Sequence, residues 1–160
     1  MTYHKLLIAN RGEIACRIIK TAHAMGISCV AVYTDADSES PFVELADEAI
    51  KLTDTYLNGK EIIEAALQTG AQAIHPGYGF LSENAKFSRH VIKAGLIWVG
   101  PSSKVITSMG DKLKAKEIAD KAGVPTLPMT TQASKANTVG YPLLIKAAAG
   151  GGGKGMRIVE

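Results

Sequence analysis

The feature that most narrows the folds open to this chain of 160 residues is its alternation of short apolar runs with amphipathic stretches. Residues 5–9, 28–34, 71–75 and 96–99 read as strands. Between them, residues 12–25 set Ile14, Ile18, Ala22 and Met25 on one helical face and Glu13, Arg17 and Lys20 on another. Residues 41–47 predict a further helix and residues 49–52 a weak strand. Asn58, with Glu61 three positions on, has the spacing of a capping box and opens a helix to about Thr69. Ser82 is placed to cap a helix to about Ala94, with Phe87, Val91 and Ala94 inward. Apolar strands separated by helices predict the α/β class, with a parallel sheet covered on both faces.

The texture changes after Pro101. Two short helices are predicted, over 102–109 and 111–122, and Pro125 and Pro128 break the pattern. The polar stretch 130–140 reads as a loop. Residues 141–147 and 156–159 are strand-like and flank a glycine-rich turn at 150–155. The expected organisation is an α/β domain over 1–115, a helical linker over 116–130, and the start of a second domain over 131–160. A lone hairpin is marginal in water, which points to a piece of a longer protein.

Composition excludes several function classes. A net charge of +3, without a dense cluster of Lys and Arg, argues against a nucleic-acid partner. No apolar run approaches the ~18 residues that a membrane span needs. Cys16 and Cys29 lie within periodic segments and read as buried thiols of a reducing cytosol. The four histidines show no ligand spacing to each other or to the cysteines, so no metal site is expected.

Chemistry concentrates in a few places. Gly150, Gly151, Gly152 and Gly153, followed by Lys154 and Gly155, allow backbone N–H groups to converge on an anion beside a mobile cation. This is not a Walker A loop. Ala148 stands where that motif begins with Gly, and Gly155 replaces its hydroxyl residue. Lys146 ends an apolar strand next to this loop, where a phosphate contact competes with simple solvent exposure. Lys112 starts a helix, where its charge opposes the dipole unless an anion binds. The stretch 75–84 follows a strand, where open parallel sheets bind ligands. Its Gly77-x-Gly79-x-x-Ser82 nearly matches a dinucleotide fingerprint but ends on Ser; a tight turn with Tyr78 and Phe80 packed as core explains it equally well. The turn 10–13, with one glycine, reads as structural capping.

Together these stretches resemble the biotin carboxylase subunit or domain of biotin-dependent carboxylases. The resemblance runs through 7–15, 46–49, 56–58, 74–84, 99–101, 109–112, 123–125 and 140–156, and so covers the chain in order. It implies a Rossmann-like domain preceding an ATP-grasp fold, with the glycine loop on a lid. It also implies ATP-dependent carboxylation of biotin by bicarbonate through carboxyphosphate, with Mg2+ or Mn2+. By this resemblance Lys112 and Lys146 hold ATP phosphates, Gly152 and Gly153 contact phosphate, and Met156 packs on adenine. Tyr78 lies near biotin, and Arg17 and Lys20 belong to a homodimer interface. The implied partners are a biotin carboxyl carrier and a carboxyltransferase component. The family's metal-binding glutamates, bicarbonate-binding residues and catalytic arginine fall after residue 160, so no catalytic residue is expected here. Ala149 and Lys154 depart from the common Gly and Arg, and the stretches before Tyr56 and Gly140 are short. Competing readings are a non-catalytic nucleotide-binding or dimerisation module, another ATP-grasp ligase, and a nicotinamide enzyme built on Gly77 and Gly79.

Overall fold

A computed structural model describes residues 3–146 and 155–160. The chain forms two compact units, Met1–Thr107 and Ser108–Glu160.

In the first unit the order is β1 (Lys5–Ile8), α1 (Gly12–Ala24), β2 (Ser28–Tyr33), α2 (Pro41–Leu45), β3 (Glu48–Lys51), α3 (Gly59–Gln68), β4 (Ala73–His75), α4 (Ala85–Lys93) and β5 (Ile97–Trp98). The five strands pair in parallel in the order β3-β2-β1-β4-β5. Successive strand residues point to opposite faces, and here both faces are buried. Leu7 and Ala9 pack with Val30, Val32, Ile74 and Phe87 on one side. Leu6 and Ile8 pack with Ala31, Ile19 and Phe42 on the other. The predicted α/β class and parallel sheet are what the chain adopts.

Three local expectations change. The buried stripe of α1 is Ile14, Ala15, Ile19 and Ala22, while Ile18 is half-buried and Met25 is 68% exposed. Met25 is the residue that ends the helix and falls outside the packed face. α4 starts at Ala85 rather than near Ser82. Asn84 caps it, its side-chain oxygen accepting from Phe87 N–H at 3.0 Å, whereas Ser82 N–H is used in a turn to Gly79. α2 stops at Leu45, and Ala46 is extended, which frees Asp47 to reach the sheet.

α5 (Ser103–Gly110) spans the junction between the units. The second unit then holds α6 (Lys112–Lys121), β6 (Leu143–Lys146) and β7 (Met156–Val159), the last two antiparallel. The polar stretch taken as loop contains a 3-10 turn over Ala133–Thr138. α6 buries no residue, and Leu144, Ile145 and Ile158 of the hairpin are exposed.

Candidate functional site

In the five-stranded sheet the chain first runs outward from β1 to β2 and β3. It then crosses back to place β4 on the other flank of β1. The loops leaving β1 and β4 diverge at this point, where open α/β sheets form their binding crevice. Asn10 ties the two loops together. It is 2% exposed, and its side-chain amide donates to Pro76 O and to Tyr78 O, both at 2.7 Å. Its carbonyl oxygen accepts from Arg11 N–H. The turn expected to cap α1 is therefore a clamp between loops, and Arg11 at the helix start makes no side-chain cap.

The loop after β4 is tightly specified. Gly77 has φ of 63°, and a Cβ there would meet Asn10 Nδ2 at 2.6 Å. Gly77 N–H donates to His75 Nδ1 at 3.0 Å. An accepting Nδ1 belongs to a neutral imidazole, and burial, aided by the charge of Arg17, holds the His75 pKa below its ordinary value. The Tyr78 hydroxyl donates to Glu13 Oε1 at 2.6 Å, which raises the Tyr78 pKa. Neither aromatic of this loop is core, as the tight-turn reading supposed. Tyr78 is 61% and Phe80 45% exposed, and Phe80 sits at φ of 42°. The Phe80 ring lies 5.4 Å from that of Tyr56.

A polar network centres on the buried carboxylate of Asp37. Arg11 grips Asp37 through Nε at 2.6 Å and through Nη2, and Ser40 and the Tyr56 hydroxyl donate to the same carboxylate. Arg11 and Tyr56 hold the Asp37 pKa down at about 2, while burial and this carboxylate push the Tyr56 phenol up to about 12. An open cleft of about 520 Å³ adjoins the network; Arg17, Lys20 and Cys16 of α1 line it with Arg11 and Asp37. Arg17 and Lys20 are exposed, on the polar face the periodicity assigned them.

The second unit carries the other candidate residues. Asp111 caps α6 by accepting from Leu113 and Lys114 N–H, both at 3.0 Å, and these donors lower its pKa. Lys112 is the first residue of that helix. Lys146 and Met156 are direct partners across the β6–β7 ladder and flank the residues that join the two strands. Gly155 has φ of 75°. Gly150, Gly151, Gly152, Gly153 and Lys154 lie outside the described residues. Lys112, Lys146 and Met156 thus all lie in the second unit.

Residues 2–106 match the family described as biotin carboxylase, N-terminal domain. The chain belongs to that family. Residues 111–160 match the ATP-binding domain of the carbamoyl-phosphate synthase L chain. The chain is 52% identical over 171 residues to the mitochondrial propionyl-CoA carboxylase alpha chain of Caenorhabditis elegans, covering 98% of this chain and 23% of that one. It is 48% identical to the 2-oxoglutarate carboxylase small subunit of Hydrogenobacter thermophilus, covering 98% and 36%. Among solved structures it is similar to the biotin carboxylase–beta-gamma-ATP complex from Campylobacter jejuni, with a TM-score of 0.92 and 42% identity over 99% of this chain and 39% of that one. It is also similar to the biotin carboxylase domain dimer of the Hydrogenobacter thermophilus enzyme with MgADP, ADP and bicarbonate, with a TM-score of 0.89 and 45% identity over 99% and 38%. The chain thus spans about a quarter of the length of the first of these relatives. No helix among the described residues is long and apolar enough to cross a membrane.

The sequence reading missed the Arg11–Asp37–Tyr56 network. Its members lie far apart in the chain, and no local spacing marks them. It also missed the gathering of His23, Cys29 and Asp47, which no ligand motif announces.

Proposed function

We propose that this chain serves the biotin carboxylase reaction, in which ATP and bicarbonate form carboxyphosphate and biotin is carboxylated. The observation that carries the reading is the pairing of Lys146 with Met156 across a hairpin whose connecting segment is the glycine run. A cation and a soft apolar side chain on adjacent strand positions suit the phosphate tail and the base of one nucleotide. Lys146 and Lys112 neutralise phosphate charge, Gly152 and Gly153 offer backbone donors, and Met156 packs on adenine. Phosphoryl transfer asks mainly for such positioning and neutralisation, and a glycine loop that closes keeps water from a labile acyl phosphate. Mg2+ or Mn2+ bound with the nucleotide would supply further charge neutralisation. In this reading Tyr78, which Glu13 and Asn10 hold at the crevice between β1 and β4, meets the ureido ring of biotin carried on a carrier domain or protein. A carboxyltransferase component takes the carboxyl group onward. The free thiols of Cys16 and Cys29 suit a reducing compartment such as the cytosol.

Calorimetric titration of the chain with MgATP tests the reading. Binding is expected, weakened about tenfold or more by Lys146→Ala or Lys112→Ala, since a charge-assisted contact is worth ~1.5–3 kcal/mol. Binding unchanged by both substitutions overturns it. The 160 residues alone are expected to show no ATP cleavage dependent on bicarbonate and biotin.

A contact between two copies through α1 is the second part of the proposal. Arg17 and Lys20 line an open cleft beside Asp37, and the Hydrogenobacter thermophilus relative is described as a dimer. Sedimentation of Arg17→Glu tests it: an unchanged oligomeric state counts against the role.

A further inference from the structure

Three potential ligands of different chemistry meet in the first unit at the start of β2, away from the loops after β1 and β4. His23 lies in the last turn of α1, Cys29 is the second residue of β2, and Asp47 precedes β3. A histidine nitrogen, Cys29 Sγ and an Asp47 carboxylate oxygen all lie within 4.8 Å of one another. Two of the three are held by backbone. Asp47 N–H donates to Cys29 O at 3.0 Å, and Cys29 N–H donates to Asp47 Oδ2 at 2.7 Å. His23 Nε2 already points at the same carboxylate oxygen, at 2.9 Å. The Cys29 thiol is buried and makes a long approach to Ile27 O at 3.7 Å. None of these groups serves the network around Asp37 or the crevice at Asn10.

We propose that His23, Cys29 and Asp47 form a binding site for a borderline-soft divalent cation of the Zn2+ class. Imidazole, thiolate and carboxylate are the donors such an ion selects. Bonds of about 2.0–2.3 Å in tetrahedral geometry put ligand atoms roughly 3.4 Å apart. The His23–Asp47 pair, at 2.9 Å, must open slightly to reach this spacing, and side chains that are 40% and 46% exposed have room to move. Their exposure leaves the fourth position to water. On binding, the Cys29 S–H bond breaks and its proton passes to solvent. The sulfur lone pair bonds the ion, Nε2 binds as the neutral imidazole, and no oxidation state changes. The proposal is independent of the carboxylase reading, and neither ATP nor biotin enters it.

Titrating the full chain with Co2+ under reducing conditions tests it. The expected result is one equivalent bound, with a thiolate-to-cobalt charge-transfer band in the near ultraviolet that Zn2+ abolishes on displacing the cobalt. Cys29→Ser removes the band and Cys16→Ser keeps it. His23→Gln, at an exposed position that leaves the core intact, weakens binding about tenfold or more. No band in the parent chain, a band that survives Cys29→Ser, or an affinity untouched by His23→Gln each overturns the site. Circular dichroism confirms that each variant is folded.

Discussion

The Tyr78 hydroxyl donates to Glu13 Oε1 at 2.6 Å, joining the loop after β4 to the first turn of α1 across 65 positions of sequence. Both residues are exposed, so the bond orients the phenol at the crevice rather than holding the fold. The carboxylate disfavours the phenolate and holds the Tyr78 pKa above its ordinary value. Spectrophotometric titration, taken as the difference between the parent chain and Tyr78→Phe, is expected to show this. In Glu13→Gln the Tyr78 midpoint should fall toward the free-tyrosine value of ~10. A midpoint that does not move would show that the bond is not formed in solution.

Acid sensitivity should centre on Asp37. Folding lowers its pKa to about 2 through Arg11 first, and then Tyr56 and Ser40, against the cost of burial. The stabilisation is therefore complete above the unfolded value of ~3.9 and is lost between there and about 2, as the folded carboxylate takes up its proton. It amounts to at most about 2–3 kcal/mol, less what solvent screening removes at the half-exposed Arg11. Urea unfolding at pH 6 and near ~3 measures it. Arg11→Gln should flatten the slope over that range, and an unaltered slope would exclude Asp37 as its source.

Asn10 and Gly77 should couple. Asn10→Ala leaves the buried Pro76 carbonyl and the Tyr78 carbonyl without their donor, at a cost of about 2–3 kcal/mol. Gly77→Ala puts a Cβ 2.6 Å from Asn10 Nδ2 at a φ of 63°, at a cost of about 1–3 kcal/mol. Removing the Asn10 amide relieves that collision. The double variant should be less destabilised than the sum, and strict additivity in denaturant midpoints would contradict the geometry.

Gly59→Ala sets two effects against each other. In most helices the change gains roughly 0.5–1 kcal/mol. Here the new Cβ would lie 2.6 Å from Phe87 Cδ2. That ring meets Trp98 edge-on at 5.6 Å and packs in the core, so it has little room to retreat. Overpacking at about 1–3 kcal/mol should win, lowering the melting temperature. A rise would show that the ring yields.

The second unit marks the limit of what periodicity reports. Residues 130–140, polar and without a repeating apolar face, gave no signal for the 3-10 turn at Ala133–Thr138, which short local bonds hold rather than a packed face. The start of α4 was misplaced for a related reason. Ser82 and Asn84 are both competent caps, and the choice fell to the turn that already occupies Ser82 N–H. Met25 was assigned to the buried face of α1 because the repeat continued numerically, although the helix had ended.

The chain's own order of residues determined the alternating elements, the parallel sheet and the family, because side-chain period and motif spacing are local properties that survive in one dimension. Tertiary structure alone decided which distant groups meet: Asn10 with the loop at Pro76, Arg11 with Asp37 and Tyr56, and His23 with Cys29 and Asp47. Such encounters depend on strand order and on where each loop leaves the sheet, and no spacing along the chain encodes them.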